Sequence, residues 1–246
     1  MSGIRLRLLS FAGLLALWAA AAWLAQSRLL PGPVEVLGGL YGYAVADDLI
    51  PQVAITLSRV AASFVIAMIV GSAIGMAMGR DRRTDAFLDG LLVIALNLPA
   101  LVVIMLCYVW FGLGEMAAIL AVVINKVPLV VVNMREGARS VDRELLQVAE
   151  AFRLPPRRTF FKVYLPQLYP YLMASARAGL ALIWKIVLVV ELLGRSDGIG
   201  FKLGVFFQFF DVRGLLAYSF GFIAVILAIE YLVLGPVERR LAGWRK

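Results

Sequence analysis

Val60-Ala61-Ala62-Ser63-Phe64-Val65-Ile66-Ala67-Met68-Ile69-Val70-Gly71-Ser72-Ala73-Ile74-Gly75-Met76-Ala77-Met78-Gly79 runs for twenty residues without a charge. A bilayer core takes about 20 helical residues to cross, so the stretch reads as a membrane span. Within it Gly71, Gly75 and Gly79 fall four apart. Small residues at that spacing let a second helix approach closely. The pattern recurs on both sides. Residues 8–26 and 91–111 carry no charge, 116–134 hold only Lys126, 168–190 hold Arg177 and Lys185, and 214–237 hold only Glu230. The reading is an all-α membrane protein with six transmembrane helices in one domain, 1–246.

Composition agrees. Of 246 residues 62% are hydrophobic and 16% charged, against about 45–50% and about 25% in soluble domains. This excludes disorder and an ordinary soluble enzyme. There is no histidine and one cysteine, Cys107. Zinc sites of the Cys/His kind, Ser-His-Asp chemistry and internal disulfides all lack their parts. No G-x-x-x-x-G-K-[ST] phosphate loop occurs either. Arg5, Arg7 and the alanine run 19–22 also fit a secretory signal peptide. The uncharged run outlasts a signal h-region of about 7–15 residues, which favours a span.

Lys and Arg set the orientation. With the N-terminus inside, sixteen fall on inside segments and five outside. The inside set includes Arg80, Arg82 and Arg83, seven between Arg135 and Lys162, and Arg239, Arg240, Arg245 and Lys246. Arg28, Arg59, Arg195, Lys202 and Arg213 fall outside. That ratio places both termini in the cytoplasm. It also accounts for the net charge of +8 without nucleic acid. In the outside segment 27–59, Pro31 and Pro33 break the first helix. Val34, Leu37, Leu40 and Tyr41 then recur at the spacing of a short surface helix.

The most informative segment is 135–166, a long polar stretch between the fourth and fifth spans. Asp142 is placed to cap a helix starting near Arg143. Leu145, Val148, Ala149 and Phe152 follow at i, i+3, i+4 and i+7, one apolar stripe. Pro155-Pro156 ends that helix. Arg157, Arg158 and Lys162 then interleave with Phe160, Phe161 and Val163. Such a helix either lies on anionic headgroups or docks into a partner's groove.

Gln147-Val148-Ala149-Glu150-Ala151-Phe152-Arg153, followed by Lys162-Val163-Tyr164-Leu165-Pro166, resembles the EAA loop of ABC importer permeases. Ser140-Val141-Asp142-Arg143-Glu144-Leu145 is similar to the stretch that leads into it. Leu30-Pro31-Gly32-Pro33, Trp110-Phe111-Gly112-Leu113-Gly114, Glu191-Leu192-Leu193-Gly194 and Asp197-Gly198-Ile199-Gly200 resemble elements of the nitrate/sulfonate/taurine branch, in the same order. The likeness runs from about Leu30 to the C-terminus. It implies a type I ABC importer permease in a bacterial plasma (inner) membrane, forming half of a pathway with a second permease copy. It implies ATPase subunits that bind ATP and Mg, no cofactor in this chain, and a periplasmic or lipid-anchored binding protein that delivers substrate.

The coupling surface to the ATPase would comprise Gln147, Val148, Ala149, Ala151, Phe152, Arg153, Leu154, Arg157 and Arg158. Three positions depart from the family pattern: Gln147 for Glu, Val148 for Ala and Arg153 for Gly. Glycine there takes φ > 0 after the short helix. Arg153 would do so only at a cost, so the expectation is that Leu154-Pro155-Pro156 rebuilds the turn.

Ionisable groups inside spans are functional candidates, because burying them is expensive. Asn97, Asn125, Lys126, Lys185 and Glu191 are the pathway candidates, with Arg177 nearer the inner end. Lys185 and Glu191 are six apart and point about 120° apart on a helix. The cationic bias suits a small anionic solute such as a sulfonate, taurine, nitrate or bicarbonate. The rival reading is a six-span secondary transporter or channel subunit, which has no need of the docking helix. An intramembrane protease lacks its histidines, and Glu191 and Glu230 sit too far apart for an acidic dyad.

Overall fold

The protein was analysed as a computed structural model that describes residues 3–46 and 48–236. Among these residues the chain is helical, with no strand. The elements in order are α1 (Gly3–Ala25), α2 (Pro33–Ala46), α3 (Leu49–Arg80), α4 (Arg82–Asn97), α5 (Ala100–Phe111), α6 (Glu115–Arg139), α7 (Arg143–Ala151), α8 (Pro156–Thr159), α9 (Leu165–Gly194), α10 (Ile199–Gln208) and α11 (Val212–Ile229). A π-helical turn, Phe160–Tyr164, joins α8 to α9, and another, Glu230–Leu234, follows α11.

Arg5–Ala25, Leu49–Arg80, Glu115–Arg139 and Val212–Leu232 are long and apolar enough to cross a membrane. The expected third span is not one helix. α4 and α5 meet at 98°. The cause is Pro99: Leu98, before it, is extended at φ −68°, ψ 125°, as the residue preceding proline prefers. The expected fifth span lies inside α9, which at 30 residues reaches about 45 Å but is not among those four apolar helices. The expected sixth span ends at residue 237, outside the described residues, as do Arg239, Arg240, Arg245 and Lys246.

The glycine stripe of α3 has its partner in α6. A Cβ on Gly71 would stand 2.6 Å from the Val130 Cβ, and one on Gly75 2.6 Å from the Val131 carbonyl oxygen. α3 and α6 run parallel and form the most extensive helix pair, with α9 packed on both. The main core gathers Val60, Ile104, Val122, Ile183, Val187, Tyr218 and Phe222 from α3, α5, α6, α9 and α11. The first turns of α4 are tied to α6 by Arg135–Asp89 at 2.6 Å and Arg139–Asp85 at 2.5 Å.

α2 forms as expected but turns differently. Val36 is buried while Val34, Leu37 and Tyr41 are exposed. The cause is α11: Gly39 lets α2 approach Ala217 and the Arg213 side chain. α1 is peripheral, held by the Trp18 indole N–H donating to the Pro31 carbonyl at 3.0 Å and by Trp18 against Phe220.

Candidate functional site

At one end of the bundle α7 stands clear of the spans. Asp142 caps it, accepting from the Glu144 amide at 2.8 Å, and its own amide donates to Gln167 at the start of α9. Ala149 is buried and Leu146 half-buried against the bundle. Val148 is 51% and Phe152 77% exposed, with Leu145 beside them. The apolar stripe is therefore split: Ala149 anchors the helix, and Leu145, Val148 and Phe152 project. Ala151, Arg153, Leu154, Arg157 and Arg158 are exposed around this projection, whereas Gln147 lines a crevice on the other face.

The turn after α7 corrects one expectation. Arg153 itself takes the left-handed conformation, φ 50°. The Arg153 amide donates to the Glu150 carbonyl at 2.8 Å and the Leu154 amide to the Ala149 carbonyl at 2.9 Å, closing a Schellman motif. Leu154-Pro155-Pro156 does not rebuild the turn; Pro155 only sets the start of α8. The left-handed region costs an L-residue about 1–2 kcal/mol. Arg153→Gly is expected to slow amide exchange along α7 by about fivefold, the equivalent of about 1 kcal/mol. Faster exchange in the variant would remove the strain account.

At the opposite end lies a charge cluster that sequence reasoning missed. Arg59, counted as an outside residue, sits within α3 and is 3% exposed. Its Nη1 donates to Glu191 at 2.7 Å and to the Asp197 carbonyl at 3.0 Å. Its Nε and Nη2 donate to Glu115 at 2.8 and 2.9 Å, and Nη2 also donates to Asp197 at 2.5 Å. Arg195 donates to the Leu113 carbonyl and pairs with Glu115 at 3.1 Å. Four segments thus meet on one guanidinium: α3, the start of α6, the end of α9 and the loop into α10.

Glu191 is 0% exposed. Besides Arg59 it accepts from the Thr56 hydroxyl at 3.0 Å and the Gly200 amide at 2.8 Å. Ile199 N–H donates to Thr56 at 2.9 Å. This gives Asp197-Gly198-Ile199-Gly200 its physical reason. Gly198 has φ 97°, and a Cβ there would collide with the Glu191 carboxylate; one on Gly200 would collide with the Leu188 carbonyl oxygen. Nearby, Lys202 and the Tyr218 hydroxyl each contact Asp48 at 2.6 Å. Burial pushes the Asp48 carboxyl up, but Lys202, Tyr218 and Gln52 hold it below the usual range. Its contribution to stability is present above the unfolded carboxyl pKa of about 3.9 and is lost as pH falls through the lower folded value.

The pathway candidates are not brought together. Asn97 ends α4 at the break and Asn125 is half-buried in α6; each donates to its own helix, at Val93 and Ala121. Lys126 is buried between α6 and α9, with its Nζ 3.4 Å from the Ala178 carbonyl. Glu191 belongs to the Arg59 cluster. Lys185 is exposed and lines a groove of about 780 Å³ between α9 and α11. Arg177, Trp184, Phe222 and Glu230 line the same groove. Among the described residues no group of three or more Cys, Asp or Glu could hold a metal.

Known proteins resemble this chain in sequence and in fold. The chain is 29% identical over 234 residues to the putative aliphatic sulfonates transport permease protein SsuC of Bacillus subtilis, covering 94% of this chain and 84% of that one. It is 27% identical over 243 residues to the taurine transport system permease protein TauC of Escherichia coli, covering 96% and 88%. It is 28% identical over 257 residues to the bicarbonate transport system permease protein CmpB of Synechococcus elongatus, covering 99% and 88%. The fold matches a chain of the inward-facing MetNI methionine ABC transporter with a TM-score of 0.64 at 16% identity, over 79% of this chain and 95% of that one. Residues 64–235 match the binding-protein-dependent transport system inner membrane component, and with that match spanning most of its length this multi-pass chain belongs to that family of ABC importer permeases.

Proposed function

We propose that this permease forms half of the translocation pathway of an ATP-driven importer for a small anion, with the α7 end in the cytoplasm and both termini on that side. A second permease copy completes the pathway. ATP and Mg bind to separate ATPase subunits that grip α7, and a periplasmic or lipid-anchored protein delivers the solute. The observation that carries this reading is the capped α7 presenting Leu145, Val148 and Phe152 to solvent. An amphipathic helix laid into a partner's groove is a recurrent docking mode. The relatives named for sulfonates, taurine and bicarbonate support the solute class. The test is purification of the full chain from its native membrane in mild detergent. A nucleotide-binding subunit in equal copy number is the expected companion; a chain that purifies without any ATPase would favour a secondary transporter.

Lys185 is the pathway residue this reading selects, because it faces open space and, among the described residues, has no carboxylate partner. Lys185→Ala is expected to raise KM for uptake roughly tenfold, as loss of one charge-assisted hydrogen bond does, with assembly unchanged. Wild-type uptake kinetics would remove Lys185 from the pathway.

A further inference from the structure

α7 has a second face. Arg143, Leu146, Gln147 and Glu150 recur at i, i+3, i+4 and i+7. They look away from Leu145, Val148 and Phe152 into a crevice of about 630 Å³, whose far wall is the ends of α3 and α6 at Gly79, Arg80, Ala138 and Arg139. A smaller cavity of about 310 Å³ adjoins it and shares Arg80, Leu146, Glu150 and Tyr164.

The charges there are unbalanced. Arg139 is held by Asp85 and Glu136. Arg80 and Arg143 have no carboxylate partner among the described residues, and Glu150 is the single acid lining the crevice. The Arg80 guanidinium instead lies 4.7 Å from the centre of the Tyr164 ring. Stacking leaves its edge N–H groups unspent. Tyr164 is 4% exposed, yet its hydroxyl has no hydrogen-bond partner among the described residues. It closes the π-helical turn Phe160–Tyr164, a distortion that favours functional sites.

We propose that this crevice binds a phosphate group, that of an anionic phospholipid. Arg80 ends an apolar span and Arg139 ends another, so the crevice opens where headgroup phosphates lie. Basic pockets between span ends are lipid-headgroup sites. The planar Arg80 fork suits phosphate oxygens, and Arg143 on the α7 wall supplies a second cation. Bound there, the phosphate ties α7 to the ends of α3 and α6 while the apolar face stays free for a partner.

The test uses the full chain, with whatever subunits purify with it, in nanodiscs of phosphatidylcholine alone or with phosphatidylglycerol. Hydrogen exchange of the 143–154 amides is read. Phosphatidylglycerol is expected to slow that exchange, and Arg80→Gln to reduce the slowing by about fivefold, the share of one arginine at an anionic surface. Arg143→Gln provides the same test should Arg80→Gln fail to fold, and Arg80→Lys should recover only part of the response. Exchange that ignores phosphatidylglycerol, or a full response in both glutamine variants, would overturn the proposal. So would inorganic phosphate reproducing the slowing in phosphatidylcholine, which would mark a soluble-anion site.

Discussion

Arg59→Met is expected to destabilise the protein by about 3–5 kcal/mol, the cost of removing one partner from a buried ion pair. Glu115 and Asp197 are partly exposed and would recover water. Glu191 would not: at 0% exposure it would keep a charge in the protein interior with only the Thr56 hydroxyl and the Gly200 amide donating to it. The measurement is thermal unfolding in detergent, with yield from the membrane as a second reading. Adding Glu191→Gln removes the stranded charge and leaves an amide oxygen as acceptor, so the double variant should regain more than half of the loss. A single variant that melts like wild type would show that the cluster does not hold the four segments together.

Phe152→Asp carries the second large effect, on association rather than folding. The ring is 77% exposed and makes little packing in the isolated chain, so a carboxylate there leaves the helix bundle unchanged. In a partner's groove it would replace a buried aromatic anchor, a change that costs about 2 kcal/mol or more, roughly 30-fold in affinity. Copurification of the ATPase and solute uptake should both collapse while the melting temperature stays put. Ala149→Asp is the contrasting variant: Ala149 is buried against the bundle, so that change should lower stability itself. ATPase retained by Phe152→Asp at wild-type level would move the docking surface elsewhere.

The sequence by itself determined the helical membrane character, because uncharged runs near twenty residues have few other solutions. It determined α7, since Asp142 and the recurrence of Leu145, Val148 and Phe152 are local signals read without a partner. It also marked the close-packing face of α3, because only glycine at Gly71, Gly75 and Gly79 permits such contact. Local patterns could not say which helix fills that face, and the structure answers with α6. Nor could they decide whether Arg153 would take the left-handed conformation at a cost or leave the turn to Leu154-Pro155-Pro156; two Schellman hydrogen bonds offset the penalty. The Arg59 cluster was beyond sequence reading for a related reason. Its members stand up to 138 residues apart, and each taken singly resembles a charge at a span's outer edge. Glu191 reads as a pathway candidate, and only the fold shows that Arg59, Thr56 and the Gly200 amide surround it. Charge type and helix period are written locally; the pairing of a buried charge depends on which helices meet, and tertiary packing alone decides that.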